Sequence, residues 1–325
     1  MYKGEKVETL STQQIYADIT LYAKWSGEDD GIPFTYVELE DGTIEIRSYT
    51  GRRKFISIPE YIDGKLVTSI GDFAFSGETG LREINLPSGL TKIGRFAFGN
   101  CTNLTKIEIP EGVTVIGESA FKNNVRLSNI AFEGTPKIQT IGQLAFAYCS
   151  SLRKIEIPST VMSMDGSVFL GTTSLSSINV SKGNKNFVSV DGVLFNKTKS
   201  TLIAYPAGLS TGFTLPSQTR EIGSYAFAFT KSNAIGLNKV EKIGNYAFFN
   251  SYLYEITIPD RVTSLGNSAF SCSYYLSSVT LGRGISEIPT QAFYLCEFLR
   301  GIKIPKEIKS IGISAFEGTM LSSFE

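Results

Sequence analysis

Residues 90–112 read LTKIGRFAFGNCTNLTKIEIPEG, and the same phrase returns almost at once. Residues 115–130 are VIGESAFKNNVRLSNI, and residues 140–160 are TIGQLAFAYCSSLRKIEIPST. Ile70, Ile93 and Ile116 are 23 residues apart, and each is followed five positions later by a phenylalanine: Phe75, Phe98 and Phe121. The same offset of five links Ile141 to Phe146, Met164 to Phe169, Ile222 to Phe227, Ile243 to Phe248, Leu265 to Phe270, Ile288 to Phe293 and Ile311 to Phe316. Such a fixed internal spacing is not a product of chance. Self-similarity at this period marks a stack of coils in which each coil buries its apolar side only against its neighbours.

Each unit has a physical reading. After the Phe comes a turn and then L..I.I closed by proline, as in Leu81-Ile84-Leu86-Pro87, Leu104-Ile107-Ile109-Pro110, Leu152-Ile155-Ile157-Pro158 and Leu299-Ile302-Ile304-Pro305. Alternating apolar residues predict a half-buried strand, and proline ends it by removing a ladder donor. A second short stretch follows, such as Val113–Ile116 or Val262–Leu265. The Gly after it is expected to supply a positive φ for a turn. The ten phenylalanines, Phe75 to Phe316, then form an internal ladder with rungs about 4.8 Å apart.

The full pattern C..L..I.IP..V..IG..AF resembles the BspA-like, or Treponema-type, leucine-rich repeat, from about Phe34 to Glu325. The resemblance implies a repeat solenoid, mainly β, wound as a right-handed leucine-rich-repeat-like superhelix of about 23 residues per coil. On that reading residues 27–325 form one repeat domain: opening strands at 32–66, repeats at 67–180, an insert at 181–208 and repeats at 209–325. A β-hairpin near 186–208, turned at Asp191-Gly192, explains the 58 residues between Phe169 and Phe227. The segment IYADITLYAKW, Ile15 to Trp25, is similar to the closing strand of the small β-repeats of Listeria and Bacteroides surface proteins. Residues 1–26 are then the C-terminal fragment of such a module plus the start of a linker. Both chain ends are expected to lie within a longer, exported bacterial surface protein that carries its signal and anchor elsewhere. The open final coil after MLSSFE is a place for self-association.

Composition narrows the chemistry. Lys plus Arg and Asp plus Glu both number 31, so no basic excess points to nucleic acid. No apolar run approaches the roughly 18 residues of a membrane span. The chain has no histidine. That removes Ser-His-Asp and Cys-His nucleophile pairs and histidine metal sites. Most Asp residues sit before Gly, at Asp30, Asp41, Asp63, Asp165 and Asp191, where turn chemistry explains them. No phosphate loop or calcium loop motif occurs. The sequence therefore predicts no enzyme, no cofactor and no metal.

Cys101, Cys149 and Cys296 each fall three residues after a ladder Phe, and Cys272 falls two after. The recurrence points to packing. Cys272 and Cys296, in adjacent coils, are the one pair placed for a disulfide.

Two outward features are candidate binding surfaces. On the strand face one column reads Glu83, Lys106, Asn129, Lys154, Ser177, Glu255, Ser278, Gly301, and its neighbour includes Glu108, Glu156 and Lys303. Lys106 with Glu108 and Lys154 with Glu156 set opposite charges side by side, which reads either as a solvated sheet or as a contact face. The residue before each strand Leu is Gly80, Asn103, Arg126, Ser151 and Ser174 early in the chain. Later it becomes Tyr252, Tyr275 and Phe298, then Met320, with Tyr254 and Tyr274 alongside. These aromatics either stack on one another to stiffen the coils or form a ridge for a partner protein or glycan. The family resemblance implies a non-catalytic adhesion module at the cell surface, recognising an extracellular protein or glycan. The rival is a rigid spacer that presents another domain. A binder concentrates exposed aromatics in one place, whereas a spacer is uniformly polar.

Overall fold

The computed structural model describes residues 34–210, 212–232 and 235–322, and the backbone of two short strands, Glu5–Lys6 and Leu21–Ala23. The chain is a mainly-β solenoid with about 23 residues per coil, and it divides into two compact units, Met1–Cys149 and Ser150–Glu325. The reading of Ile15–Trp25 as the end of a β-repeat falls outside the described residues, apart from the backbone of Leu21–Ala23. So does the Asp30-Gly31 turn.

In the first unit Leu21–Ala23 pairs antiparallel with Phe34–Glu38, which forms an antiparallel hairpin with Ile44–Tyr49. Ile44–Tyr49 then pairs in parallel with Lys65–Ile70, and the ladder continues through Lys92–Ile93, Val115–Ile116 and Thr140–Ile141. A second side of the coil carries the L..I.I strands, with Phe55–Ser57 beside Glu83–Asn85 and Lys106–Ile109 beside Asn129–Phe132. The third side has no strand but is equally regular. Phe73, Phe75 and Gly77 donate their N–H groups to the carbonyls of Arg95, Ala97 and Gly99, each at 2.8 Å. Phe96, Phe98 and Asn100 do the same to Glu118, Ala120 and Lys122. The residues between them close tight turns within their own coil. All three sides thus pass hydrogen bonds from coil to coil.

In the second unit Lys154–Ile157 pairs with Ser177–Val180. The insert follows as a hairpin, Phe187–Val190 against Val193–Asn196, and Thr201–Ala204 then starts a parallel ladder with Glu221–Ile222, Lys242–Ile243 and Ser264–Leu265. Asp191 and Gly192 have φ of 50° and 79°, the doubly left-handed turn whose twist suits a hairpin. Asn184, fully buried, anchors the insert: its amide donates to Pro158 and Val161 and accepts from Asn186 and Phe187 N–H. The unit's other parallel sheets are Glu255–Thr257, Ser278–Thr280, Gly301–Lys303, and Glu287–Ile288 with Ser310–Ile311. Asp165 caps a single 3-10 turn, Gly166–Phe169, so the Met164 coil departs from the Ile-Gly pattern.

The core is the aromatic ladder. Phe75, Phe98 and Phe121 stack on successive rungs at 5.1 and 5.3 Å, and Phe146 follows at 5.6 Å. In the second unit Phe227, Phe248, Phe270, Phe293 and Phe316 stack at 4.9–5.5 Å, with planes within 6° of parallel. Tyr49 and Tyr205 cap the two ladders at 5.6 Å from Phe75 and 5.1 Å from Phe227. Neither tyrosine sits in the repeat motif. Phe169 is buried in the 3-10 turn, and Phe316 on the last rung is half-buried.

The structure corrects one expectation. The Gly after the second strand does not adopt positive φ. That conformation falls two residues later, on Phe73, Phe96, Ser119, Leu144, Tyr225, Tyr246, Ser268, Gln291 and Ser314. A second left-handed position follows four residues on, at Gly77, Asn100, Asn123, Tyr148, Phe229, Asn250, Cys272, Leu295 and Gly318. The Gly column is required by close approach instead. A Cβ on Gly94 would lie 2.7 Å from the Asp72 nitrogen, and one on Gly266 would lie 2.4 Å from the Asn245 nitrogen. Glycine is there so that consecutive coils can touch backbone to backbone.

Candidate functional site

The ridge column is built by the register of the L..I.I strands. Glu255, Ser278 and Gly301 are aligned partners, so the residues three positions ahead of them, Tyr252, Tyr275 and Phe298, stand above one another. Tyr252 and Tyr275 stack at 5.3 Å and Tyr275 and Phe298 at 6.5 Å, while Tyr254 leans on Tyr275 at 6.0 Å. Exposure runs from 41% for Tyr252 to 54% for Tyr254, with Met320 at 52%. The inward neighbours Leu253, Leu276 and Leu299 are fully buried and fix the column to the core. Stacking pairs the inner ring faces of the column and leaves the ring edges to solvent. Tyr274 lies apart from this stack, half-buried, beside Cys272, whose charge pushes the Tyr274 phenol up. On the last coil Ile311 and Ile313 are exposed.

The strand-face charges do not form the pairs that their adjacency in sequence implies. Lys106 reaches back one coil to Glu83 at 2.9 Å, both well exposed, and Glu156 accepts from the Ser181 hydroxyl at 2.7 Å. The register sets Lys106 beside Asn129, Glu108 beside Ala131 and Lys154 beside Ser177. An exposed ion pair of this kind contributes about 0–1 kcal/mol. Asp41 is a turn residue that accepts the Thr43 hydroxyl and N–H, and the Thr43 hydroxyl leads in holding its carboxyl below the usual range.

All four cysteines are free thiols, including Cys272 and Cys296. Cys101, Cys149 and Cys296 donate S–H to the carbonyls of Phe75, Phe121 and Phe270, on earlier rungs, at 3.0–3.2 Å. Ser273 fills the same slot and donates to Phe248 at 2.7 Å. The slot therefore calls for a small buried donor, and cysteine is one solution. Burial pushes these three thiols up to about 12. Cys272 sits one position earlier, in a left-handed slot, half-exposed. A thiol reagent at pH 8 is expected to label Cys272 alone in the native protein and all four after denaturation. Labelling of Cys101 or Cys149 without unfolding would contradict the packing role.

Among the described residues no cluster of three metal-ligating side chains occurs, and no helix is long and apolar enough to cross a membrane. Stacked parallel coils of about 23 residues, bonded along three sides around an internal apolar ladder, have the architecture of a leucine-rich-repeat protein. The sequence matches the BspA type leucine rich repeat region in six copies over residues 68–201 and 220–325, and the chain belongs to that family. The match begins at residue 68, so the β-repeat reading of Ile15–Trp25 gains no support. The Pneumococcal vaccine antigen PcpA is 26% identical, with 88% of this chain and 86% of that chain covered and a TM-score of 0.65. A leucine-rich repeat protein from Eubacterium ventriosum (24% identity, 90% and 94% covered, TM-score 0.57) shares the fold. So does a leucine rich cell surface protein from Faecalibacterium prausnitzii (24%, 91% and 86%, 0.57). No curated protein matches. The matches bring in no catalytic family.

Proposed function

We propose that the chain is a surface-displayed protein-binding module whose partner docks on the ridge of Tyr252, Tyr254, Tyr275 and Phe298. The observation that carries this reading is the concentration of exposed aromatics on consecutive coils, on the edge of a rigid sheet. A spacer is expected to have a uniformly polar surface, without such a concentration of exposed rings. Protein is favoured over glycan because the stacked rings offer edges and few open faces, and interface centres are rich in such rigid aromatic area. The extracellular location rests on the likeness to a vaccine antigen. The strand-face residues Glu83, Lys106, Glu108, Lys154 and Glu156 are mixed in charge and carry no separate site in this reading.

Replacing Tyr252, Tyr275 and Phe298 together by Ser, the residue that Ser151 and Ser174 already place in this column, is the test. The fold is expected to survive, because these side chains lie outside the core. Capture of a protein partner from extracellular extracts, or concentration-dependent self-association, is expected to fall at least about tenfold. A collapse of the melting transition would make the ridge structural, and unchanged capture would place the partner elsewhere.

A further inference from the structure

We infer that the first unit carries a separate site for an acidic polysaccharide, formed by Arg52, Lys54, Arg82 and Phe55. This goes beyond the ridge and lies on different coils. Phe55–Ser57 pairs with Glu83–Asn85, which sets Phe55 beside Glu83 and Lys54 beside Arg82. The Arg82 N–H donates to the Lys54 carbonyl at 2.8 Å, so the two cationic side chains spring from adjoining backbone. Arg52, Lys54 and Arg82 are all exposed, and among the described residues none of the three is held in an ion pair. The carboxylate next in line, Glu83, is already taken by Lys106. The net charge of the chain is zero, so these unpaired cations are a local feature and not part of an overall basic excess.

Phe55 decides the kind of anion. It is 61% exposed, and no aromatic ring among the described residues stacks on it. Its face is open, unlike those of the ridge. The polarised C–H face of a sugar ring packs on the electron-rich face of an aromatic ring. Guanidinium groups bind sulfate, phosphate or carboxylate oxygens bidentately, and two of the three free cations are arginines. An open ring beside unpaired cations therefore matches a sugar polymer that bears oxyanions.

The probes are dextran sulfate, neutral dextran, polyphosphate and phosphatidylglycerol vesicles, each titrated against the full chain. Dextran sulfate is expected to bind with an affinity that falls steeply with salt, and neutral dextran is not. The variant R52Q/K54Q/R82Q should lose at least about tenfold and show a flatter salt dependence. F55A should weaken dextran sulfate several-fold and leave polyphosphate unchanged. Matching thermal melts of the variants confirm that the fold is intact, since all four side chains are exposed. Dextran sulfate binding that ignores the triple variant overturns the site. Indifference to F55A, or tighter binding to polyphosphate or vesicles than to dextran sulfate, overturns the sugar assignment.

Discussion

Phe121→Ala should lower the stability of the chain by about 3–5 kcal/mol, the usual range for emptying a buried Phe site. Phe121 is fully buried between Phe98 at 5.3 Å and Phe146 at 5.6 Å, and both neighbours are close to parallel with it. The variant leaves a cavity on an inner rung and removes two ring contacts, each worth roughly 0.5–1.5 kcal/mol beyond area burial. Neither neighbour can simply slide into the gap, because the Phe98 coil is bonded to the coils on both sides and the Phe146 coil is bonded back to that of Phe121 through Ala145 and Ala147. Phe316 provides the internal comparison. It is half-buried and stacks on Phe293, so Phe316→Ala should cost about half as much or less. Urea melts followed by far-ultraviolet circular dichroism give both values. Equal small losses for the two variants would mean that the ladder is not the core.

Gly266→Ala should destabilise by about 3 kcal/mol or more, above the usual penalty for overpacking, because the clash is with backbone. The new methyl would lie 2.4 Å from both the Asn245 nitrogen and the Gly244 carbonyl carbon. Neither atom can move without breaking the Gly244 and Gly266 coils apart. Gly301→Ala is the control: its Cβ meets nothing within 4 Å and its φ is not left-handed, so the change is expected to be near neutral. A third variant separates the two explanations for the column. Asn tolerates the left-handed conformation, so Gly266→Asn would be mild if φ were the reason for glycine. Close approach requires it to be as damaging as Ala. A melting temperature for Gly266→Asn near that of Gly301→Ala would restore the turn explanation.

The Ile-to-Phe spacing revealed the solenoid because both residues face inward and neither can shift without leaving its rung. The L..I.I columns were legible for a related reason, since period-two alternation fixes which side chains share a face. Two things were not. The first left-handed position carries Phe, Tyr, Ser, Leu and Gln, types with no common preference for that conformation, whereas the second carries Gly or Asn in five of nine coils and Tyr, Phe, Cys or Leu in the others. It is imposed by the ladder on the strandless side, where alternate N–H groups bond the next coil. Likewise Cys101 and Ser273 look unrelated in sequence, and only the shared carbonyl contact shows one role. For the candidate sites, the ridge could be read by aligning coils. Arg52 and Phe55 precede the first Ile-Gly unit, so no repeat marked them.

The three-sided bonding within each unit also has a mechanical meaning. Every bond between coils runs along the stacking direction, so a pull applied along that direction loads one junction at a time. A coil under tension gives way only after its own junction has failed, and its neighbours keep theirs. Within a unit, extension should proceed as a sequence of small releases of about 23 residues each, starting from a loaded end. A chain that tethers through its own coils would in this way lengthen under load, and let go last at its contacts.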